Sequence, residues 1–311
     1  MDNSESIPII IDTDVGYDDI GALLYLLKHP KIKIHGISIS CGLTYIEAGV
    51  NNVLRLLNYL EKPTIPVIPG KKTPLFVNNS FPKKWREKSA QFYGIKLPST
   101  TLYPSSINIT ELIHSVWKST RKKVTIVALG PLTNIAQVIQ NQTAKKELIE
   151  RLYIMGGAID IPGNVGIECP EIPNFVAEWN FFIDPHAAEI VFSKSGIPIT
   201  LIPLNATNNV PHTKRFQTKL DNIKKTKELD IVYQLLNPNE GYFWDDLTAV
   251  ALTTPEVFKL ENHYIQIVAT EKISQAGWTK SIKDKKPNAE VAMYADPLKF
   301  EEQYIKILNQ Q

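Results

Sequence analysis

The apolar run Ile9-Ile10-Ile11 breaks off at Asp12, and the next apolar positions, Ile20, Leu23, Leu24 and Leu27, recur at helical spacing. An unbroken β-branched run predicts a strand buried on both faces, and the spaced series predicts an amphipathic helix that stops at His29-Pro30. The pair of signals then repeats. Ile32 to Ser40 alternates as a strand, Val53, Leu56, Leu57 and Leu60 fall at helical spacing, and Thr64 to Pro69 predicts a short strand bounded by prolines. Thr110 is placed to cap a helix through Trp117, Val124 to Leu129 predicts another buried strand, and Pro131 suits the first turn of the helix after it. Leu152 to Met155 and Ile199 to Leu204 predict further strands, with a helix start at Asp184-Pro185-His186 between them. Lys214 to Glu228 predicts a solvated charged helix, and a short apolar helix follows through Leu252. The tail predicts a strand at Tyr264 to Ala269, a second near Val291 to Tyr294, and a terminal helix.

Strand and helix in alternation predict an α/β fold built on an open, mainly parallel sheet with helices on both faces. No repeat, low-complexity segment or long linker interrupts the pattern, so residues 7–311 are expected to form one domain. The periodicity fades only in 71–106, where prolines and polar residues thicken around Phe76, Phe81, Trp85, Phe92 and Tyr93. An aromatic-rich irregular stretch of that length is expected to be a binding loop or lid.

Composition narrows the partners. A net charge of +2 from 34 basic and 32 acidic residues gives no field of one sign, which argues against nucleic acid or an anionic membrane and for a small-molecule substrate. Cys41 and Cys169 lie far apart, with no spacing for zinc or a disulfide framework. No apolar run approaches the roughly 18 residues of a membrane span, and the polar start is unlike a signal peptide, so a cytoplasmic protein is expected.

The chemistry concentrates in Asp12-Thr13-Asp14-Val15-Gly16-Tyr17-Asp18-Asp19, four carboxylates between a strand and a helix. Like charges packed so closely repel unless a cation or hydrogen-bond donors hold them. Asp18 and Asp19 could cap the helix, but that leaves Asp12 and Asp14 unexplained. An oxygen-only cluster suits a hard cation such as Ca²⁺ or Mg²⁺. Further ligands are expected from the backbone near Leu129 and from Asp245 or Asp246, each read as a strand-to-helix boundary. Glu178 and Asn180, two apart in a stretch read as extended, are expected to share one pocket, with Trp179 and Phe181 packing on the other side.

The acidic stretch resembles the D-x-D-P-G-x-D-D signature of the inosine-uridine-preferring nucleoside hydrolases, with Val15 where proline is usual. Ala128 to Asn134 looks like a second motif of that family. Met155-Gly156-Gly157-Ala158, Gly163-Asn164-Val165 and Ala177-Glu178-Trp179-Asn180 look like a third, and Trp244 to Ala249 like a fourth. The resemblance spans essentially the whole chain. It implies the nucleoside hydrolase fold with its Rossmann-like core, and hydrolysis of the N-glycosidic bond of ribonucleosides. It also implies Ca²⁺ held by Asp14, Asp19, the Leu129 carbonyl and Asp245. Asp18 and Asn180 would bind the ribose diol, Asn164 and Glu178 the 5′-hydroxyl, and Asp14 would act as general base, with Asp12 supporting the loop from behind. A homodimer or homotetramer is the family habit.

Two positions depart from the common pattern. Many relatives carry a histidine at position 244, suited to protonating a leaving base, where this chain has Trp244. Together with Trp85 in Asn79-Ser80-Phe81-Pro82-Lys83-Lys84-Trp85-Arg86, it resembles the purine-specific branch, in which two tryptophans sandwich the base. Leu43 falls where relatives place an asparagine or aspartate against the ribose, so either the sugar contacts are rearranged or the substrate is not a plain ribonucleoside. The alternatives are a pyrimidine or broad-range hydrolase and a catalytically silent nucleoside-binding relative.

Overall fold

Ile9, Ile10 and Ile11 are fully buried because they form the middle of strand β1 (Ile7–Thr13), an interior strand of an eight-stranded sheet. Side chains alternate across a strand, so Ile9 and Ile11 enter the core on one face and Ile10 enters the core on the other. The computed structural model describes residues 6–141, 146–223, 226–236 and 241–310. The other strands are β2 (Ile32–Ile39), β3 (Val67–Pro69), β4 (Val124–Ala128), β5 (Ile149–Met155), β6 (Ile199–Ile202), β7 (Phe258–His263), β8 (Ile265–Ile267), β9 (Thr279–Ser281) and β10 (Ala289–Ala295).

The order across the main sheet is β3-β2-β1-β4-β5-β6-β10-β7, and β8 pairs with β9 in a separate ribbon. All main-sheet neighbours are parallel except β10 and β7. This is the single α/β domain with helices around a mostly parallel sheet that the sequence pattern predicts. The chain moves outward from β1 to β3 on one side and resumes with β4 on the other. β1 and β4 therefore flank the switch in strand order, whose carboxyl ends open a ligand crevice. Asp12 pairs with Ala128 at that point, and the Leu129 amide donates to the Asp12 carbonyl at 2.8 Å.

Several elements differ from the sequence expectation. Residues 71–106 are not irregular throughout: they contain the helix Lys83–Ala90 and a 3₁₀ turn, Phe92–Gly94. The helix before β4 is Ile109–Thr120, capped not by Thr110 but by Asn108, whose side chain accepts from the Glu111 amide at 3.0 Å while Glu111 accepts from the Asn108 amide at 2.9 Å. Pro131 lies outside the following helix, Thr133–Gln140. The charged segment forms two helices, Lys214–Ile223 and Lys227–Leu235, the second capped by Thr226; residues 224–225 lie outside the described ones. The tail has the additional antiparallel strand β7, and its expected strand at Tyr264 to Ala269 is only the short β8.

Candidate active site

The acidic loop is tied off by its own backbone. Asp19, in the first turn of the helix Tyr17–Lys28, accepts hydrogen bonds from the Thr13 hydroxyl, the Asp14 amide at 3.2 Å and the Gly16 amide at 2.8 Å. Between them Val15 takes the left-handed conformation, φ 62°, which a β-branched residue occupies only under strain. Asp14 directly precedes this residue, just beyond the end of β1. Its Oδ2 accepts from the Leu43 amide at 2.6 Å, and a Cβ on Gly42 would lie 2.0 Å from that oxygen, so glycine there is needed for the approach. Asp12 points behind the loop, where its Oδ1 accepts from Asn134 Nδ2 at 2.9 Å. The same amide group reaches Ser38 Oγ and the Ile39 carbonyl on β2.

A cavity of about 560 Å³ opens over these strand ends. Asp14, Asp18, Asp19, Trp85, Leu129, Asn164, Glu178, Asn180, Trp244 and Asp245 all line it. Asp12 does not line it. Phe81, Trp85 and Tyr93 of the expected binding loop are in its wall, whereas sequence reasoning missed Tyr17, Lys88 and Glu168, and Trp179, expected only to pack, both packs on Phe81 and lines the cavity. The stretch around Glu178 is not extended. Glu178 caps the short helix Trp179–Ile183, accepting from the amides of Asn180 at 2.8 Å, Phe181 at 3.2 Å and Gly157 at 3.0 Å. The turn brings Trp179 to the cavity, where its indole donates to Glu168 at 2.8 Å, while Phe181 enters the core behind. Gly157 has φ 82°, a conformation that frees its amide for Glu178 without strain. Asp245 sits in the first turn of the helix Trp244–Ala251, which follows an isolated bridge between Pro211 and Tyr242 instead of a strand.

The electrostatics call for a positive partner. Asp18, Asp19 and Asp245 each have one carboxylate oxygen within 4.8 Å of the others. Burial pushes Asp14, Asp18 and Asp245 well above the usual carboxylate range, and the neighbouring aspartates push them further. Burial also raises Glu178 to about 7, Asp12 to about 7 and Asp246 to about 8. Asp245 Oδ1 is buried and has no hydrogen-bond partner, a costly state for a charged oxygen. An unpaired carboxylate oxygen among converging oxygens fits a hard cation. Leu129 lines the same cavity, and its carbonyl accepts from Asn180 Nδ2 at 2.7 Å, which leaves it a second lone pair.

Aromatic rings stand in the wall in two groups. Trp85 lies 5.4 Å from Trp179 and 6.5 Å from Phe81, ring centre to ring centre. Trp244 lies 6.0 Å from Tyr17 and 5.6 Å from Tyr242, and Tyr17 meets Tyr93 edge-on at 6.0 Å. The Trp244 indole N–H is buried without a partner.

Fold and site together define an α/β enzyme whose acidic, cation-ready pocket sits at the switch point of a parallel sheet. The family profile described as inosine-uridine preferring nucleoside hydrolase matches residues 9–302, and the chain belongs to that family of N-glycosyl hydrolases. It is 30% identical over 306 residues to the pyrimidine-specific ribonucleoside hydrolase RihA of Escherichia coli O1:K1, covering 94% of each chain. The inosine-uridine preferring nucleoside hydrolase of Bacillus anthracis superposes with a TM-score of 0.83 at 26% identity, over 97% of this chain and 99% of that one. The purine-preferring ribonucleoside hydrolase of Gardnerella vaginalis shares the fold, with a TM-score of 0.81 at 24% identity over 97% and 98% of the two chains. Among the described residues no helix is long and apolar enough to cross a membrane.

Proposed function

We propose that the protein hydrolyses purine ribonucleosides to free base and ribose in a Ca²⁺-dependent reaction. The observation that carries this is one cavity with a floor of converging carboxylates and a wall bearing both Trp85 and Trp244. A polyhydroxyl sugar suits the floor and a flat, neutral heterocycle suits the wall.

Asp14, Asp19, the Leu129 carbonyl and Asp245 would hold the cation, which when bound anchors the sugar diol and acidifies the attacking water. Asp18 and Asn180 receive the ribose diol, and Asn164 and Glu178 receive the 5′-hydroxyl. Asp14 is the general base. Its Oδ2 is fixed by the Leu43 amide on the cavity floor, which places it to take the proton of the attacking water. As the glycosidic bond stretches, positive charge grows on the sugar, and the carboxylates around it stabilise that charge more than the neutral ground state. Water attacks the anomeric carbon opposite the departing base, so the product is the inverted sugar.

Leu43 presents its amide to Asp14 and its side chain to the cavity, so the ribose receives an apolar contact at this position. The two tryptophans supply stacking worth about 1–3 kcal/mol per base where such contacts have been measured. A pyrimidine preference is the second reading, favoured by the activity named for the Escherichia coli relative.

Release of base from inosine, guanosine, adenosine, uridine and cytidine, measured with Ca²⁺ present, separates the readings. Faster turnover of inosine than uridine is expected. The reverse order would establish the pyrimidine reading, and tight inosine binding without base release over hours would refute catalysis.

A further inference from the structure

Six carboxylates line the cavity, and Lys88 is the one cation among the described residues that do so. Its place is not accidental to a floppy loop. The helix Lys83–Ala90 is latched at its end: Ser89 Oγ donates to the Val15 carbonyl at 2.8 Å, and Asn52 Nδ2 donates to the carbonyls of Ser89 at 3.3 Å and Ala90 at 3.1 Å. Trp85 and Lys88 are three apart on this helix and therefore share a face. Lys88 Nζ lies 5.8 Å from the centre of the Tyr93 ring, which also lines the cavity. Trp85 and Trp244, the rings proposed above to flank the base, line the cavity together with Lys88, and Trp244 offers no acid.

We propose that Lys88 is a catalytic residue that stabilises the leaving base, a role that rests on the nucleosidase reading above. When the bond from the anomeric carbon to the base nitrogen breaks, its electron pair stays on the base. The water oxygen bonds to the carbon, the water proton goes to Asp14, and the Lys88 ammonium donates a hydrogen bond to the base anion. The released base then takes its proton from solvent, and Asp14 returns its proton there. Lys88 is solvent-exposed, and its charge meets a partner on the base only late in the reaction, so what it contributes is contributed to the transition state and not to substrate binding. A purine or pyrimidine needs this help; a nitrophenolate, already a stable anion, does not.

The test compares inosine and 4-nitrophenyl riboside with wild-type enzyme, Lys88→Met and Lys88→Arg. The ratio of kcat/KM for inosine to that for the aryl riboside is expected to fall about tenfold in Lys88→Met, with inosine turnover falling by a similar factor, below the ~10²–10³ of a fully dehydrated donor. Lys88→Arg should restore most of the ratio. Equal losses on both substrates would show that Lys88 only balances the acidic floor, and an unchanged ratio would equally overturn the assignment. If Lys88→Met does not fold, the same ratio is read from Lys88→Gln. Wild-type enzyme that cleaves the aryl riboside but no nucleoside would overturn the nucleosidase reading itself, and the Lys88 role with it.

Discussion

At the scale of single residues, the four aspartates of one loop are sorted by what their oxygens meet. Asp12 meets Asn134, Asp19 meets three donors of its own loop, Asp14 meets the Leu43 amide, and Asp18 faces the cavity with Asp245. Asp14 combines an oxygen fixed by the Leu43 amide with a position on the cavity beside the proposed cation ligands. Asp14→Asn should therefore lower kcat about 10²–10⁴-fold, the usual range for a lost general base, and also weaken Ca²⁺ binding by calorimetry. Near-normal turnover in that variant would exclude Asp14 as the base. The residues gathered around the cavity were legible because each motif ends a strand or opens a helix. Tyr17, Lys88, Glu168 and the cavity-facing edge of Trp179 were not, since nothing in the local pattern shows which surface a tyrosine or lysine will face.

Among the elements, the helix Lys83–Ala90 shows why the rest was hidden. Trp85 is its only large apolar side chain, so no hydrophobic period betrays it. It is specified by distant groups: Ser89 reaches back to Val15, and Asn52 holds its last carbonyls. Ser89→Ala removes a buried hydrogen bond worth about 1 kcal/mol and releases the wall that carries Trp85. We expect faster amide exchange across 83–90 and a several-fold higher KM for inosine, with a smaller effect on kcat. Unchanged exchange there would mean that the latch does not hold the helix. The turn at Glu178 was misread for a related reason. Glutamate is not among the preferred helix caps, and only the amide of Gly157, brought in from the end of β5, completes its coordination. The central strands, by contrast, were readable because burial on both faces leaves an unbroken apolar run.

For the whole molecule, the cost of the acidic site should appear as a pH dependence of stability. Asp12 and Glu178 are raised to about 7 and Asp246 to about 8, whereas an unfolded carboxyl titrates near about 4. The folded state therefore binds more protons, and stability falls as pH rises through these values. His29 and His212 are lowered to about 4 by burial, so their opposite contribution is complete once pH exceeds the ordinary histidine value of 6.5. Between about pH 6.5 and 8 only the carboxylate effect remains. The melting temperature in chelator should fall across that window, and millimolar Ca²⁺ should restore it most at the alkaline end, where the ligands are free of protons. A melting temperature that rises across the window in chelator would contradict this account.

The orphaned oxygen of Asp245 has a further meaning. Asp245 opens a helix that packs against the helix carrying Asp18 and Asp19, so repulsion at the cluster is felt by two core elements at once. Without the cation proposed above to neutralise it, the chain would open more often, and protease access follows the population of open forms. The amount of enzyme a cell retains would then track the ion supply, and starvation for the metal would remove the protein as well as silence it.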